Sequence, residues 1–269
     1  MDSTGVQGNS LSSNPSISAD GNIVAFDSDA SNLVPNDTNG TTEVFQHEPD
    51  HTAPAVPTIS SPIQDARLNV RSFSVSGTAE ANSTVKLFEG ALSKGTARAD
   101  AFGKWSVTLS GVTDGSHSYL AQATDAAGNT SAPSSARTVI VDTTKPKVIS
   151  AEPAEDAAAI APDANVYATF SEAMRATSIT VWTFKLYKNE DPTTALTATV
   201  SYDATANKAT LNPSSNLEAG VTYKVLVTTG AKDWAGNVLD QDSTLTGAQP
   251  KEWYFEVISD PPPPARRQR

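Results

Sequence analysis

The chain has 269 residues, no cysteine, and 30 Asp and Glu against 19 Lys and Arg, for a net charge of −11. Without cysteine there is no disulfide staple and no thiolate metal ligand, so each module must be held by its own apolar core. The acidic balance, with a pI near 4.7, excludes nucleic-acid binding through clustered cations, and no run of 18 or more apolar residues is present to cross a bilayer as a helix.

Residues 1–50 hold eight Asp or Glu, and no Lys or Arg occurs before Arg67. A solubilising surface explains that asymmetry. The first residues, Met1-Asp2-Ser3-Thr4-Gly5, lack the basic and apolar regions of a secretory signal. Ile17 to Phe26 read as a hairpin turn and an apolar strand, Ser31 to Gly40 as a polar loop, and Glu43-Val44-Phe45 as a second strand. The Ser-x-Asp-Gly-x-x-Val-Ala-Phe pattern and the following Asn-Leu-Val-Pro-x-Asp-Thr-Asn-Gly resemble one blade repeat of TolB-like β-propellers. That resemblance implies a partial blade over 1–50. A lone blade cannot bury both faces of its sheet, so this segment is expected to be poorly ordered or to lean on a neighbour.

Two repeats organise the rest. Asp50-x-Thr52-x-Pro54-x-Val56 matches Asp142-x-Thr144-x-Pro146-x-Val148, an offset of 142 − 50 = 92 residues. That spacing fits a β-sandwich of about 100 residues. Asp125-Ala126-Ala127-Gly128-Asn129 matches Asp233-Trp234-Ala235-Gly236-Asn237. A Gly-Asn pair between strands supplies positive φ and side-chain-to-backbone bonds for a tight loop.

Residues 53–144 alternate with period two, as half-buried strands do. Phe73 and Val75, Val85 and Leu87, then Trp105, Val107 and Leu109, then Tyr119, Ala121 and Ala123, and finally Val139 and Val141 mark the inward faces. About seven short strands with regular turns predict an immunoglobulin-like sandwich. The pieces Val75 to Glu80, Gly103 to Val107 and Thr124 to Asn129 resemble bacterial Ig-like repeats of large surface proteins. Residues 145–258 alternate likewise, from Val166, Ala168 and Phe170 through Phe184 and Leu186, Val200 and Tyr202, Ala209 and Leu211, and Tyr223, Val225 and Val227 to Trp253, Phe255 and Val257. Here Phe170 to Met174, Leu211 to Pro213, Gly220 to Tyr223 and the second Asp-x-Ala-Gly-Asn resemble the Ig-like domain of S-layer proteins. Ala154 to Ala161 has helical propensity, but the resemblance implies a loop or one helical turn. Residues 259–269 are a Pro-rich tail. Its run Pro261 to Pro264 reads as a stiff linker, and the chain as a piece of a longer protein.

Catalytic chemistry finds little support. His47-Glu48-Pro49-Asp50-His51 has the spacing of a zinc protease motif, which works only on a helix. Pro49 opposes a helix there, so the segment reads as a solvated linker. Gly115-Ser116-His117 reads as a turn, and neither a nucleophile elbow nor a phosphate loop is present. The sandwich topology predicts that each Asp-x-Ala-Gly-Asn loop lies at the pole where its own module begins. Asp125 then lies near Asp50, and Asp233 near Asp142. Such carboxylate pairs offer oxygen ligands to Ca²⁺ at the module junctions, a role that calcium has in some of the Ig arrays these modules resemble. Two Asp per junction fall short of the six to eight oxygens calcium takes. The competing reading has each Asp accepting N–H bonds within its own loop. Trp182 and Trp234 sit less clearly on core faces than Trp105 and Trp253, and exposed indoles can stack on sugars.

The expectation is therefore an all-β chain of two tandem immunoglobulin-like β-sandwiches behind an incomplete propeller segment. No catalytic residue and no cofactor are assigned, apart from possible Ca²⁺ at Asp50, Asp125, Asp142 and Asp233. The resemblances imply non-catalytic spacer or adhesion modules, monomeric within a longer chain, in a secreted or cell-surface bacterial protein, with cell-surface protein or polysaccharide as partner. The alternative is an accessory, carbohydrate-binding region of a secreted polysaccharide-acting enzyme whose catalytic domain is absent.

Overall fold

The computed structural model describes residues 7–38, 40–48 and 50–259. Pro49 and all but the first residue of the Pro-rich tail lie outside the described residues. The chain forms two compact units. One comprises Met1–Ser61, Val75–Val107 and Tyr119–Ala136, the other Pro62–Ser74, Thr108–Ser118 and Arg137–Arg269.

The N-terminal strands β1 (Ser12–Ile17), β2 (Val24–Ser28) and β3 (Glu43–His47) form a three-stranded antiparallel sheet. Phe26 faces Phe45 across it, with stacked rings 5.8 Å apart. A small cluster of Ala30 and Leu33 is buried beside it, against Gly8. A three-stranded meander is what these residues form, and no propeller is built among the described residues.

Strands β4 (Thr58–Ser61), β5 (Ala66–Leu68), β6 (Phe73–Thr78), β7 (Thr84–Glu89), β8 (Leu92–Arg98), β9 (Lys104–Leu109), β10 (Gly115–Thr124) and β11 (Arg137–Val141) make two sheets. Their orders are β4-β6-β9 and β5-β11-β10-β7-β8. The predicted alternation holds. Val75, Val85, Leu87, Trp105, Val107, Leu109, Tyr119, Ala121, Ala123, Val139 and Val141 are all buried, while Ser106, Thr108 and Ser110 face solvent. Gly77 and Gly103 are dictated by space. A Cβ at Gly77 would sit 1.9 Å from the Thr58 carbonyl oxygen, and one at Gly103, where φ is +75°, would sit 2.3 Å from that of Ala79.

The remaining strands are β12 (Val148–Glu152), β13 (Ala157–Ile160), β14 (Val166–Phe170), β15 (Phe184–Lys188), β16 (Ala198–Asp203), β17 (Lys208–Pro213), β18 (Thr222–Val227) and β19 (Lys251–Val257). They form two four-stranded sheets, β12-β14-β17-β16 and β13-β19-β18-β15. One continuous core joins them, built around Phe170, Met174, Phe184, Leu186, Leu211, Tyr223, Trp253 and Phe255. A single turn of 3₁₀ helix, Ala176–Ser178, follows β14.

The alanine-rich stretch opens with a turn, closed by Ala157 N–H to the Ala154 carbonyl oxygen at 3.1 Å, and continues not as loop but as strand β13, which runs parallel to β19 with Ala157 opposite Phe255 and Ile160 opposite Val257. Propensity loses because the edge of β19 offers a ladder to pair with, and Ala159, at φ +60°, adopts the left-handed conformation that breaks a helix. Strand β5 does the same for β11, with Ala66 opposite Val139 and Leu68 opposite Val141.

Candidate metal centre

Both Asp-x-Ala-Gly-Asn loops have the same local structure. Gly128 and Gly236 each have φ +96°, a conformation open to glycine at no steric cost. Asp125 accepts the Asn129 N–H on Oδ1 and its Nδ2–H on Oδ2, each at 2.9 Å. Asp233 accepts the N–H groups of Gly236 and Asn237 on Oδ1, at 2.6 and 2.8 Å, and Asn237 Nδ2–H on Oδ2 at 2.7 Å. The bonds from Asn129 hold the Asp125 carboxyl below the usual carboxylate range.

Each loop also reaches the linker of its own module. Asn129 Nδ2 donates to the Asp50 carbonyl oxygen at 2.9 Å, and Asn237 Nδ2 donates to the Asp142 carbonyl oxygen at 2.8 Å. The linker aspartates in turn accept from the residue two positions on. Thr52 N–H bonds Asp50 Oδ1 at 2.8 Å, and Thr144 N–H bonds Asp142 Oδ1 at 3.1 Å. The loop asparagine therefore makes the contact to the linker, through a main-chain carbonyl that sequence reasoning did not single out.

The two loops differ in what stands beside them. Asp142, Glu172 and Asp233 bring carboxylate oxygens within 4.8 Å of one another, and they are the one such group of three among the described residues. Asp50 and Asp125 belong to no group of this kind among those residues. Glu172 is carried there by its neighbours. Ser171 N–H bonds the Lys147 carbonyl oxygen at 2.8 Å, and Lys147 N–H bonds Ser171 Oγ at 3.0 Å. Met174, wholly buried, bridges to Asp233 and donates its N–H to the Tyr202 hydroxyl at 2.8 Å.

Glu172 Oε1 is shut off from solvent and has no hydrogen-bond partner. Burial, followed by the charges of Asp142 and Asp233, pushes its carboxyl up to about 7. An orphaned carboxylate oxygen facing two further carboxylates fits a hard divalent cation that takes oxygen ligands. Asp142, Glu172 and Asp233 would hold it. Glu172 was missed from sequence because it is separated from both aspartates by tens of residues, and its Phe-Ser-Glu-Ala-Met context reads as a strand end.

The remaining candidates fall away on geometry. His47 ends strand β3, so the His-Glu-x-x-His spacing starts on extended backbone rather than on a helix. His117 Nε2 lies 2.8 Å from the Thr113 carbonyl oxygen, at the start of β10. Trp105 and Trp253 are buried, and Trp253 Nε1 donates to the Pro153 carbonyl oxygen at 3.0 Å. Trp182 and Trp234 are exposed.

The fold and its paired loops define a chain of tandem, mainly antiparallel sandwiches, each with one parallel strand pair. Residues 59–143 match one bacterial Ig-like domain family and residues 142–256 match another, so the chain carries two bacterial Ig-like domains in tandem. Neither match covers the segment that resembles a propeller blade. No curated protein matches the chain significantly. Among solved structures, the fibronectin(III)-like modules of Clostridium thermocellum CbhA are similar over 33% of this chain and 98% of that one, at 19% identity and a TM-score of 0.29. The N-terminal part of the bacterial S-layer protein SbsC is similar over 42% of this chain and 24% of that one, at 22% identity and 0.31. A putative membrane-anchored protein of Corynebacterium diphtheriae is similar over 92% and 71%, at 13% identity and 0.33. At such TM-scores the family matches, not the solved structures, define the class.

Proposed function

We propose that the chain is a non-catalytic structural segment of a bacterial extracellular or cell-surface protein, its two Ig-like domains serving as spacers with fixed linkers. The observation that carries this reading is the repeated bond from Asn129 to the Asp50 carbonyl and from Asn237 to the Asp142 carbonyl. Each domain grips the peptide that leads into it. The second linker is held at further points. Lys145 Nζ bonds the buried Asp240 carboxylate at 2.8 Å, Asp240 N–H bonds the Pro146 carbonyl oxygen at 3.0 Å, and the Gln241 side chain pairs with both main-chain groups of Val148. These bonds fix the linker to the domain that it enters. Hydrogen exchange tests this reading. The buried Val148 amide, bonded to Gln241 Oε1, should exchange more slowly than the exposed Thr144 amide, and free exchange at Val148 would refute it.

A second reading is favoured by the unpartnered Glu172 oxygen. Asp142, Glu172 and Asp233 bind Ca²⁺, while Asp50 and Asp125, without a third carboxylate, serve as Asx turns. Millimolar CaCl₂ should raise the melting temperature relative to EGTA, and an identical melt in both would sink the calcium reading.

A further inference from the structure

The loops after β14 and β18 belong to the second sandwich. They are stitched together by Arg175 N–H to the Lys232 carbonyl oxygen at 2.8 Å, and by Ser178 Oγ, which bonds both the N–H and the carbonyl of Lys232. They carry Trp182 and Trp234, which are 77% and 50% exposed. Tryptophan is highly buried on average, so two exposed indoles on joined loops call for an explanation.

Neither indole is needed for its loop. The Trp182 loop closes through Thr180 and Thr183. Trp182 N–H bonds Thr180 Oγ1 at 3.2 Å, Thr180 N–H bonds Thr183 Oγ1 at 2.9 Å, and Thr183 Oγ1 donates to the Ser178 carbonyl oxygen at 2.6 Å. The Trp234 loop closes through Asp233 and Asn237. Its sister loop closes identically with Ala126 in the place of Trp234.

The two loops carry cations between flanking acids, Glu172 and Glu190 on one and Glu218 and Asp233 on the other. Residues 173–189 and 219–232 contain no Asp or Glu. Arg175 and Lys232 are exposed and form no salt bridge among the described residues. The nearby Asp233 is buried, bonded within its own loop and grouped with Asp142 and Glu172. Flat apolar rings with adjacent cations match a sugar polymer that carries carboxylates. We propose that the Trp182–Trp234 face binds a carboxylated polysaccharide, with pyranose rings on the indoles and uronate carboxylates on Arg175 and Lys232. Arg175 Nη2 already leans toward the Trp234 carbonyl oxygen, at 3.5 Å, which places the guanidinium beside that residue.

The test is affinity chromatography of the whole chain on immobilised polygalacturonate at physiological salt, where charges more than about 8 Å away are screened. Neutral cellulose and phosphatidylglycerol vesicles are the comparison arms. Retention on polygalacturonate alone is expected. Trp182→Ala and Trp234→Ala should each weaken it about tenfold, as loss of a tryptophan anchor does, and R175Q with K232Q should weaken it and flatten its salt dependence. A measurement without variants adds soluble polygalacturonate and follows tryptophan fluorescence, which should shift and saturate. No retention, equal retention on cellulose or vesicles, or retention that the tryptophan variants leave unchanged would each overturn the proposal.

Discussion

Replacing Glu172 by Gln tests the candidate metal centre most directly. The substitution keeps the shape and removes the charge. The Glu172 carboxyl is pushed from 4.5 up to about 7, a difference that corresponds to roughly 3 kcal/mol, and to about 2 kcal/mol after a discount for partial solvent screening. The sign follows from proton binding. Between pH 4.5 and 7 the unfolded chain has lost the Glu172 proton and the folded chain retains it. Without a cation, stability therefore falls as pH rises through this window, and the whole penalty is present above 7. In EGTA at pH 8, Glu172→Gln should raise the stability of the second domain by about 2 kcal/mol, or roughly 8 °C in Tm. Below pH 4.5 the two proteins should melt alike. In CaCl₂ the order should reverse, because the native protein gains about 2.7 kcal/mol at a hundredfold excess over Kd and the variant gains little. Calorimetry across pH in EGTA and in CaCl₂ measures all of this. A variant no more stable than the native protein at pH 8 in EGTA would refute the electrostatic reasoning. A calcium response retained in full by the variant would refute the site.

Asn237→Ala removes the Nδ2 bonds to the Asp142 carbonyl and to Asp233, and should cost about 1–3 kcal/mol in urea titration. Met174→Ala empties a wholly buried site and should cost about 2–5 kcal/mol, read as a lower denaturation midpoint at unchanged slope. Gly103→Ala adds a Cβ at 2.3 Å from the Ala79 carbonyl oxygen, at a φ of +75°. It should destabilise the first domain by about 1–3 kcal/mol, whereas Gly111→Ala, at φ +64° with open space around it, should cost only about 1.

The sandwiches were legible because half-buried strands write their faces into every second residue. Val85 and Leu87, or Trp253, Phe255 and Val257, cannot slip by one position without exposing the core. The short parallel strands were not legible. Ala66–Leu68 is too short to establish a period, Ala157–Ile160 carries no alternation, and both are specified by the edge they meet. A signal did exist in Pro62-Ile63-Gln64-Asp65-Ala66 and Pro153-Ala154-Glu155-Asp156-Ala157. Asp65 and Asp156 both sit at φ near +60°, and their N–H groups bond the carbonyls of Thr138 and Tyr254 on the last strand of each sandwich. Helical propensity hid this pattern in the second copy.

The twin loops show how far a repeated motif determines a site. The motif specifies a turn, and in both copies aspartate and asparagine satisfy each other and bind the linker carbonyl. It does not specify a metal centre, since Asp125 repeats the bonding of Asp233 but has no third carboxylate in reach among the described residues. The difference comes from a segment outside the repeat. Ser171 is bound to Lys147 of the linker and Met174 is buried in the core, and the residue between them that carries a charge is Glu172. A residue with no turn to close has been placed against two carboxylates with an oxygen left unpaired. Turn formation does not account for it, whereas a cation beside the second loop would satisfy it.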